Sequence, residues 1–305
     1  MNHQFASPSG ESLLGEAASI FREKPVFQRR DRHVVFVCGG SVKARSRSMR
    51  KRFLRYAPCD GRLGRFRFFL AETAMRDLTT YNEPHFINLA KFEALVADIA
   101  DCILIFPESP GAIAEIGFFS NSKAAKKILV VNDINWQGDS FINLGPIDLV
   151  NEKSIFRSTI LLDYKKKPLS FETVGNRLVD RLRTRNAKRF VCDYYDSLEG
   201  REKFYLIFEL IRLFRIVDFA ALKISIVKMF RGSVDDIELR QILSILCASN
   251  YVNRRGDEYE YFVARHVDPF LDYRYYDERK FHTIAMSHYS NHAPRLIEML
   301  QGGQT

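Results

Sequence analysis

One carboxylate stands out as a group that could do chemistry. Glu115 is the only charged residue in Ala112-Ile113-Ala114-Glu115-Ile116-Gly117-Phe118-Phe119, and its neighbours on one helical face are Ala112, Ile116 and Phe119. A carboxylate on an apolar stripe costs stability unless something uses or satisfies it. Nearness to a helix start favours the ionised form, and apolar surroundings oppose it. An ionised, partly desolvated carboxylate beside a ligand crevice has the properties of a nucleophile. The plainer alternative is a glutamate bonded to nearby backbone or to an arginine. Just before it, Ser109-Pro110-Gly111 fits a helix start, with Ser as cap and Pro in the first turn. A second place of interest is Gly39-Gly40-Ser41, where two glycines let a sugar or phosphate approach the backbone. It is not a GxGxxG fingerprint, and an ordinary strand-to-helix turn reads the same way.

These groups need a scaffold, and the hydrophobic pattern supplies one. Val34–Cys38 and Asp101–Pro107 are short apolar runs stopped by Gly or Pro and read as buried strands. Phe66–Glu72, Lys127–Val131 and Ser158–Tyr164 complete about five strands. Between them lie a helix on Met49, Phe53, Leu54 and Ala57 that Pro58 ends, an amphipathic helix over Asn88–Ala100, the helix that carries Glu115 (Ala112–Asn121), and a closing helix over Phe171–Arg185. Continuous apolar strands alternating with helices predict an α/β, doubly wound, flavodoxin-like parallel sheet. In such a sheet ligands bind beyond the C-terminal strand ends, which is where the Gly39 loop and the Pro107–Ala112 loop fall.

After Asn186 the pattern changes. Glu199–Phe230 is almost wholly helical in period, and Ser233–Ser249 holds another helix. Tyr251–Asn253, a turn at Arg254–Asp257 and Tyr259–Val263 read as a hairpin. The expectation is a mostly helical, winged-helix-like C-terminal domain. The domain bounds are then 1–30 (an N-terminal arm or lead-in helix), 31–186 (the catalytic sheet domain) and 187–305, with a frayed tail from Gln301.

Composition narrows the class. The chain has 305 residues, 46% of them hydrophobic, and a formal charge of +9. Ten basic residues and one acid, Asp60, lie between Lys43 and Arg67, and the rest of the chain is balanced. A uniformly basic packaging protein is thereby excluded. Arg50, Lys51, Arg52 and Arg55 crowd one helix and repel one another unless a polyanion is present; a solvated Arg-rich face is the alternative. Five cysteines, odd in number and without a CxxC, imply a reduced, cytoplasmic protein with no structural metal, and His288 and His292 read as a surface pair. No apolar run reaches the length of a membrane span.

The run Asp101–Val131 (DCILIFPESPGAIAEIGFFSNSKAAKKILVV) resembles the core motif of the nucleoside 2-deoxyribosyltransferase-like superfamily. More narrowly, VVFVCGG at Val34–Gly40, FPESPGAIAEIGFFSN at Phe106–Asn121 and SFINLGP at Ser140–Pro146 resemble the effector subunits of retron antiphage systems. The superfamily likeness covers roughly Val34–Tyr164, and the retron likeness extends more loosely over the C-terminal region.

The resemblance implies that Glu115 is the nucleophile and that Gly39, Gly40 and Ser41 accept the sugar. It places Glu108, Ser109 and Gly111 on the crevice loop, and Asn143 and Gly145 in the pocket; Glu72 is a candidate second carboxylate. The implied activity is a toxic N-glycosidase. With no general acid evident, NAD or another activated N-glycoside is the substrate favoured, because nicotinamide leaves a cationic ring as a neutral molecule; no further cofactor is implied. The partners implied are a retron reverse transcriptase and its single-stranded multicopy DNA and RNA, with room for a higher-order assembly. The expected nucleic-acid contacts are Arg45, Arg47, Arg50, Lys51, Arg52 and Arg55, with Arg254 and Arg255 at the hairpin turn. The rival reading is a non-enzymatic nucleotide- or DNA-binding regulator. A deoxyribosyltransferase of nucleotide salvage is a third.

Overall fold

The computed structural model of the protein describes residues 4–29, 31–81, 88–157, 159–183, 187–256, 260–265, 268–274 and 276–301. The chain divides into two compact units. One comprises Asp31–Thr73 and Phe86–Arg185; the other comprises Met1–Arg30, Ala74–His85 and Asn186–Thr305.

The first unit alternates strand and helix: β1 His33–Cys38, α1 Met49–Tyr56, β2 Phe66–Phe69, the start of α2 (Ala71–Tyr81, which belongs to the other unit from Ala74 on), α3 Leu89–Ile99, β3 Cys102–Ile105, α4 Pro110–Ser120, β4 Ile128–Asp133, α5 Asp148–Lys153, β5 Ile160–Leu162 and α6 Glu172–Arg181. The five strands lie in the order β2-β1-β3-β4-β5, and every pair is parallel. That is the flavodoxin-like order, with its switch point between β1 and β3. Strand alternation sends Val35, Val37, Leu104, Phe106, Leu129 and Val131 to one face, where they pack with Phe53 of α1 and with Val174 and Leu178 of α6. Phe36 points to the opposite face, where its ring meets Phe119 of α4. Both faces are therefore covered, which is why Val34–Cys38 and Cys102–Ile105 are apolar at every position. Phe53 is fully buried against Phe68, Phe106 and Phe171, with ring centroids 5.2 to 5.8 Å away. It fixes α1 on the sheet and, with it, Arg50 one turn earlier.

The stretch expected as one strand over Phe66–Glu72 is divided. β2 stops at Phe69, and Glu72 stands in the first turn of α2. Ser158, at the expected start of the last strand, lies outside the described residues.

The second unit has a helix at Pro8–Glu23 and, after the first unit, helices at Gly200–Phe214, Phe219–Met229, Asp236–Ala248 and Glu278–His292. The helical run expected over Glu199–Phe230 is interrupted. Arg215 adopts a positive φ of 69°, and a short strand, Ile216–Asp218, follows. That strand pairs with Tyr261–Ala264, which pairs with Val252–Arg255, giving an antiparallel sheet of three strands below the helices. Among the described residues this unit runs helix, strand, helix, helix, strand, strand; Asp257 and Tyr259 of the expected hairpin lie outside the described residues, as do residues 302–305 of the tail. A second small sheet, Leu271–Tyr273 with Val26–Gln28 and Lys188–Phe190, has no counterpart in the sequence reading. It is braced by Glu209, wholly buried, whose carboxylate accepts from the backbone of Phe270 and Leu271, from the Tyr273 hydroxyl and from Arg212. No helix among the described residues is long and apolar enough to cross a membrane.

Candidate active site

The site is built at the C-terminal ends of β1 and β3, and its first component is a clip. Glu108, just past β3, extends its carboxylate to the start of α1. Oε1 accepts from the backbone N–H of Gly40 (2.9 Å) and Arg50 (3.0 Å), and Oε2 accepts from Met49 (2.7 Å). A carboxylate at a helix N-terminus satisfies donors that have no partner within the helix and meets the positive end of its dipole. This explains the glycines. A Cβ on Gly40 would lie 2.8 Å from Ser48 Cβ and 3.1 Å from the Glu108 carboxyl carbon, and one on Gly39 would lie 2.8 Å from Arg50 Cβ. Gly39 and Gly40 make room for the clip and for the close approach of α1. Glu108, expected among the substrate-binding residues of the crevice loop, has its carboxylate engaged by three backbone amides.

Arg50 is the second component. It was expected on the nucleic-acid face, but the structure buries it, with 6% exposure. Nε donates to the Gly40 carbonyl at 2.7 Å, and the guanidinium forms a two-pronged pair with Glu72, at 2.6 and 3.0 Å. Because its Cβ faces the Gly39 turn, its side chain runs along the strand ends and not outward. Glu72, the anticipated second carboxylate, is thereby held as the counter-ion of Arg50.

Glu115 is the third. Ser109 caps α4, accepting from Ala112 N–H at 3.3 Å, and its hydroxyl donates to the Gly39 carbonyl at 3.2 Å, so the two loops are joined. With Ala112, Ile116 and Phe119 buried, α4 holds Glu115 half-buried against the sheet. The thiol of Cys38, the last residue of β1, lies beside its carboxylate and draws its pKa down. Oε2 is buried and has no hydrogen-bond partner among the described residues. Burial pushes the Glu115 carboxyl above the usual range, while the Cys38 thiol and the Arg50 charge pull it back. Burial and the same carboxylate hold Cys38 firmly as a thiol.

The sequence reading missed Glu93. It stands on α3, half-buried, and its carboxyl is pushed up to about 7 by burial and by the charges of Glu115 and Glu72. A carboxyl that carries its proton near neutrality beside an ionisable partner is the arrangement of an acid and nucleophile pair. A signal was present: Val96 and Ala97, three and four residues on, share its face and are buried. A lone Glu in an amphipathic helix nevertheless reads as solvated.

Beyond β4 and β5 lies a cavity of about 370 Å³. Ser109 and Glu108 form one wall, Tyr164 another, and Asn132, Asp133, Trp136 and Asn143 line the rest. Asn143 ties the loop together, donating to the carbonyls of Trp136 (2.9 Å) and Gly138 (2.8 Å) and accepting from Asn132. Gly145 rests at ordinary contact distance from the Phe141 ring, and Gly111 faces open space; Ser41 is exposed.

The basic residues sort into two groups. Lys43, Arg45, Arg47, Arg55 and Arg67 are exposed, and among the described residues none of them pairs with a carboxylate. Lys51 and Arg52 are half-buried, and the Lys51 ammonium donates to the carbonyls of Lys43 and Ala44, holding the loop that carries Arg45 and Arg47. Arg254 leaves the expected nucleic-acid set: its side chain is 9% exposed and pairs with Asp77 (2.8 Å) and Glu260 (2.7 Å). Arg255 is half-buried and donates to the Met299 carbonyl. A basic pair at a hairpin reads as solvated, but here the second unit uses both to close its own fold. Among the described residues no cluster of His, Cys, Asp and Glu is arranged to hold a metal ion, and the five cysteines are free.

Sequence comparison identifies the family. The family model for STM3845 retron effector protein matches residues 46–254, and the chain belongs to that family. Among curated proteins it is 30% identical over 164 residues to the "Retron Ec86 putative ribosyltransferase/DNA-binding protein" of Escherichia coli, covering 52% of this chain and 50% of that one. It is 35% identical over 127 residues to the "Retron Ec73 putative ribosyltransferase/DNA-binding protein" of the same organism, covering 39% of this chain and 38% of that one. The matches thus span half or less of the length of these relatives.

Proposed function

We propose that this retron effector is an N-glycosidase that cleaves the bond between C1′ and the base nitrogen of a nucleotide, with Glu115 as nucleophile. The observation that carries the reading is the state of Glu115: its Oε2 is buried and unpartnered at the strand ends where such folds bind ligands. A Glu115 oxygen bonds to C1′ as the C1′–N bond breaks, and the electron pair leaves with the base. Water then attacks C1′, gives its proton to a carboxylate of the site and releases Glu115. Glu93 supplies the acid that a neutral base needs. Nicotinamide needs none, because the departing electron pair neutralises its ring; NAD is the substrate we favour because its cleavage asks only for Glu115, the residue on which the reading rests. The names of the Escherichia coli relatives, which speak of ribosyl transfer and DNA binding, support both halves of the proposal.

The exposed cluster at Lys43, Arg45 and Arg47 follows directly on the Gly39 turn, so a single-stranded DNA–RNA partner bound there would lie beside the site. Restraint of the enzyme by a reverse transcriptase with its multicopy DNA is the regulation proposed. The test is purified protein incubated with NAD and with nucleosides and nucleotides, products being resolved by chromatography. Release of free base that is lost in Glu115→Gln is expected. Full turnover by Glu115→Gln overturns the assignment, and no release from any nucleotide favours the binding regulator.

A further inference from the structure

Ile113 lines the cavity beyond β4 and Glu115 does not. The two are two residues apart on α4, so about 3 Å apart along the axis and on nearly opposite faces. At about 370 Å³ the cavity is near the small end of ligand sites, roughly 300–1,000 Å³, and is sized for one nucleoside.

Its lining is selective. Its charged residues are Glu108 and Asp133, and it contains no Lys or Arg. Glu108 is engaged by three amides. Asp133, only 6% exposed, caps the turn Ile134–Trp136: its Oδ1 accepts from the backbone (3.1 Å) and side-chain (2.9 Å) amides of Asn135. Among the described residues its Oδ2 has no hydrogen-bond partner. A carboxylate oxygen free to accept, in a wall without cations, selects neutral donors and repels phosphate. A vicinal diol offers two such donors. At the rim, the Trp136 indole is 73% exposed although its loop is tied down by Asn143 and by Gln137, whose amide donates to the Asp133 carbonyl at 2.7 Å. A rigid loop that presents a bare indole provides a flat surface for an aromatic ring.

We propose that this cavity is a second subsite that takes a ribonucleoside, with Asp133 Oδ2 accepting from the ribose hydroxyls and Trp136 stacking on the base. Joined to the reading of Glu115 given above, on which this step rests, it makes the substrate a molecule of two linked nucleosides: one nucleoside sits here, and the other presents its glycosidic bond to Glu115 across the first turn of α4. A mononucleotide would fill one subsite or the other, not both.

The test does not need turnover. Trp136 is the chain's single tryptophan, so intrinsic fluorescence of the full-length Glu115→Gln protein reports on the cavity. Adenosine is expected to give a saturable change, 2′-deoxyadenosine to bind several-fold more weakly, and AMP no better than adenosine. Asp133→Asn keeps an acceptor for the Asn135 cap and replaces the free oxygen by an amide, and it should weaken adenosine at least tenfold while leaving the melting temperature unchanged. In the Glu115-containing protein the same change should raise KM for the dinucleotide with kcat retained. Equal binding of adenosine by the parent and Asp133→Asn, or no fluorescence response to adenosine, overturns the subsite. Because binding is read without chemistry, a protein that binds adenosine as described but releases no base condemns the glycosidase reading alone.

Discussion

The two groups of arginines make opposite predictions, and a pair of variants separates them. Arg50 is 6% exposed, donates to the Gly40 carbonyl and holds Glu72 with two bonds. Deleting one partner of a buried pair costs about 3–5 kcal/mol, but the Glu72 side chain is 45% exposed and can be rehydrated, so the loss in Arg50→Met should be nearer ~2 kcal/mol. For a unit of this size that is a fall of roughly 4–8 °C in melting temperature. Arg45, Arg47 and Arg55 are exposed and pair with no carboxylate among the described residues; their joint replacement by alanine should move the melting temperature by less than about 2 °C. On single-stranded DNA the order reverses. If each of the three neutralises one phosphate, removing them flattens the log–log dependence of affinity on salt by about 0.7 each, close to 2 in all. Across a fourfold rise in salt, the triple variant should therefore lose roughly 15-fold less affinity than the parent. Arg50→Met should leave that slope unchanged. The assays are a thermal melt and fluorescence-anisotropy titrations at several salt concentrations. A triple variant with an unaltered slope refutes the nucleic-acid surface, and an Arg50→Met protein that melts like the parent refutes the keystone.

Other expectations concern the chemistry. Glu93 is protonated below about pH 7 and ionised above it, so turnover of a substrate with a neutral base should fall as pH rises through 7, with the limb abolished in Glu93→Gln; a nicotinamide substrate should show no such limb. Cys38→Ala removes a donor that draws the Glu115 carboxyl down, so the acid limb of kcat/KM should move to higher pH, whereas Cys38→Ser, which keeps a donor, should move it less. Gly40→Ala places a methyl 2.8 Å from Ser48 Cβ and should cost roughly 1–3 kcal/mol of stability in a denaturant melt; a parent-like midpoint would show that the clip yields.

The scaffold was legible because its signals are local. Val34–Cys38 and Cys102–Ile105 are apolar at every position, as strands covered on both faces must be, and Ser109-Pro110 marks the start of α4 by capping chemistry alone. Glu115 was legible because one charge on an apolar stripe is an anomaly. The rest depends on contacts remote in sequence. Glu108 meets Gly40 and Met49 across about 60 residues. Arg50 sits in a run of like charges that reads as solvated, and only the turn at Gly39 directs it inward. Glu93 acquires its character from burial and from the charges of Glu115 and Glu72, neither of which is its neighbour in the chain. Arg215, with its positive φ, ends a helix that the apolar period alone would have continued.

The Glu108 clip has a consequence for control. The same side chain walls the cavity and anchors the first turn of α1, just after the loop that bears Arg45 and Arg47. Were the proposed ligands to bind at both places, they would act on a shared strut, and their occupancies would be linked. Linkage is reciprocal: whatever factor a polyanion on the loop imposes on substrate affinity, substrate must impose on the polyanion. An effector wired in this way would register the loss of its nucleic acid as a change in its own substrate affinity, and a rise in substrate would in turn shift its hold on the nucleic acid.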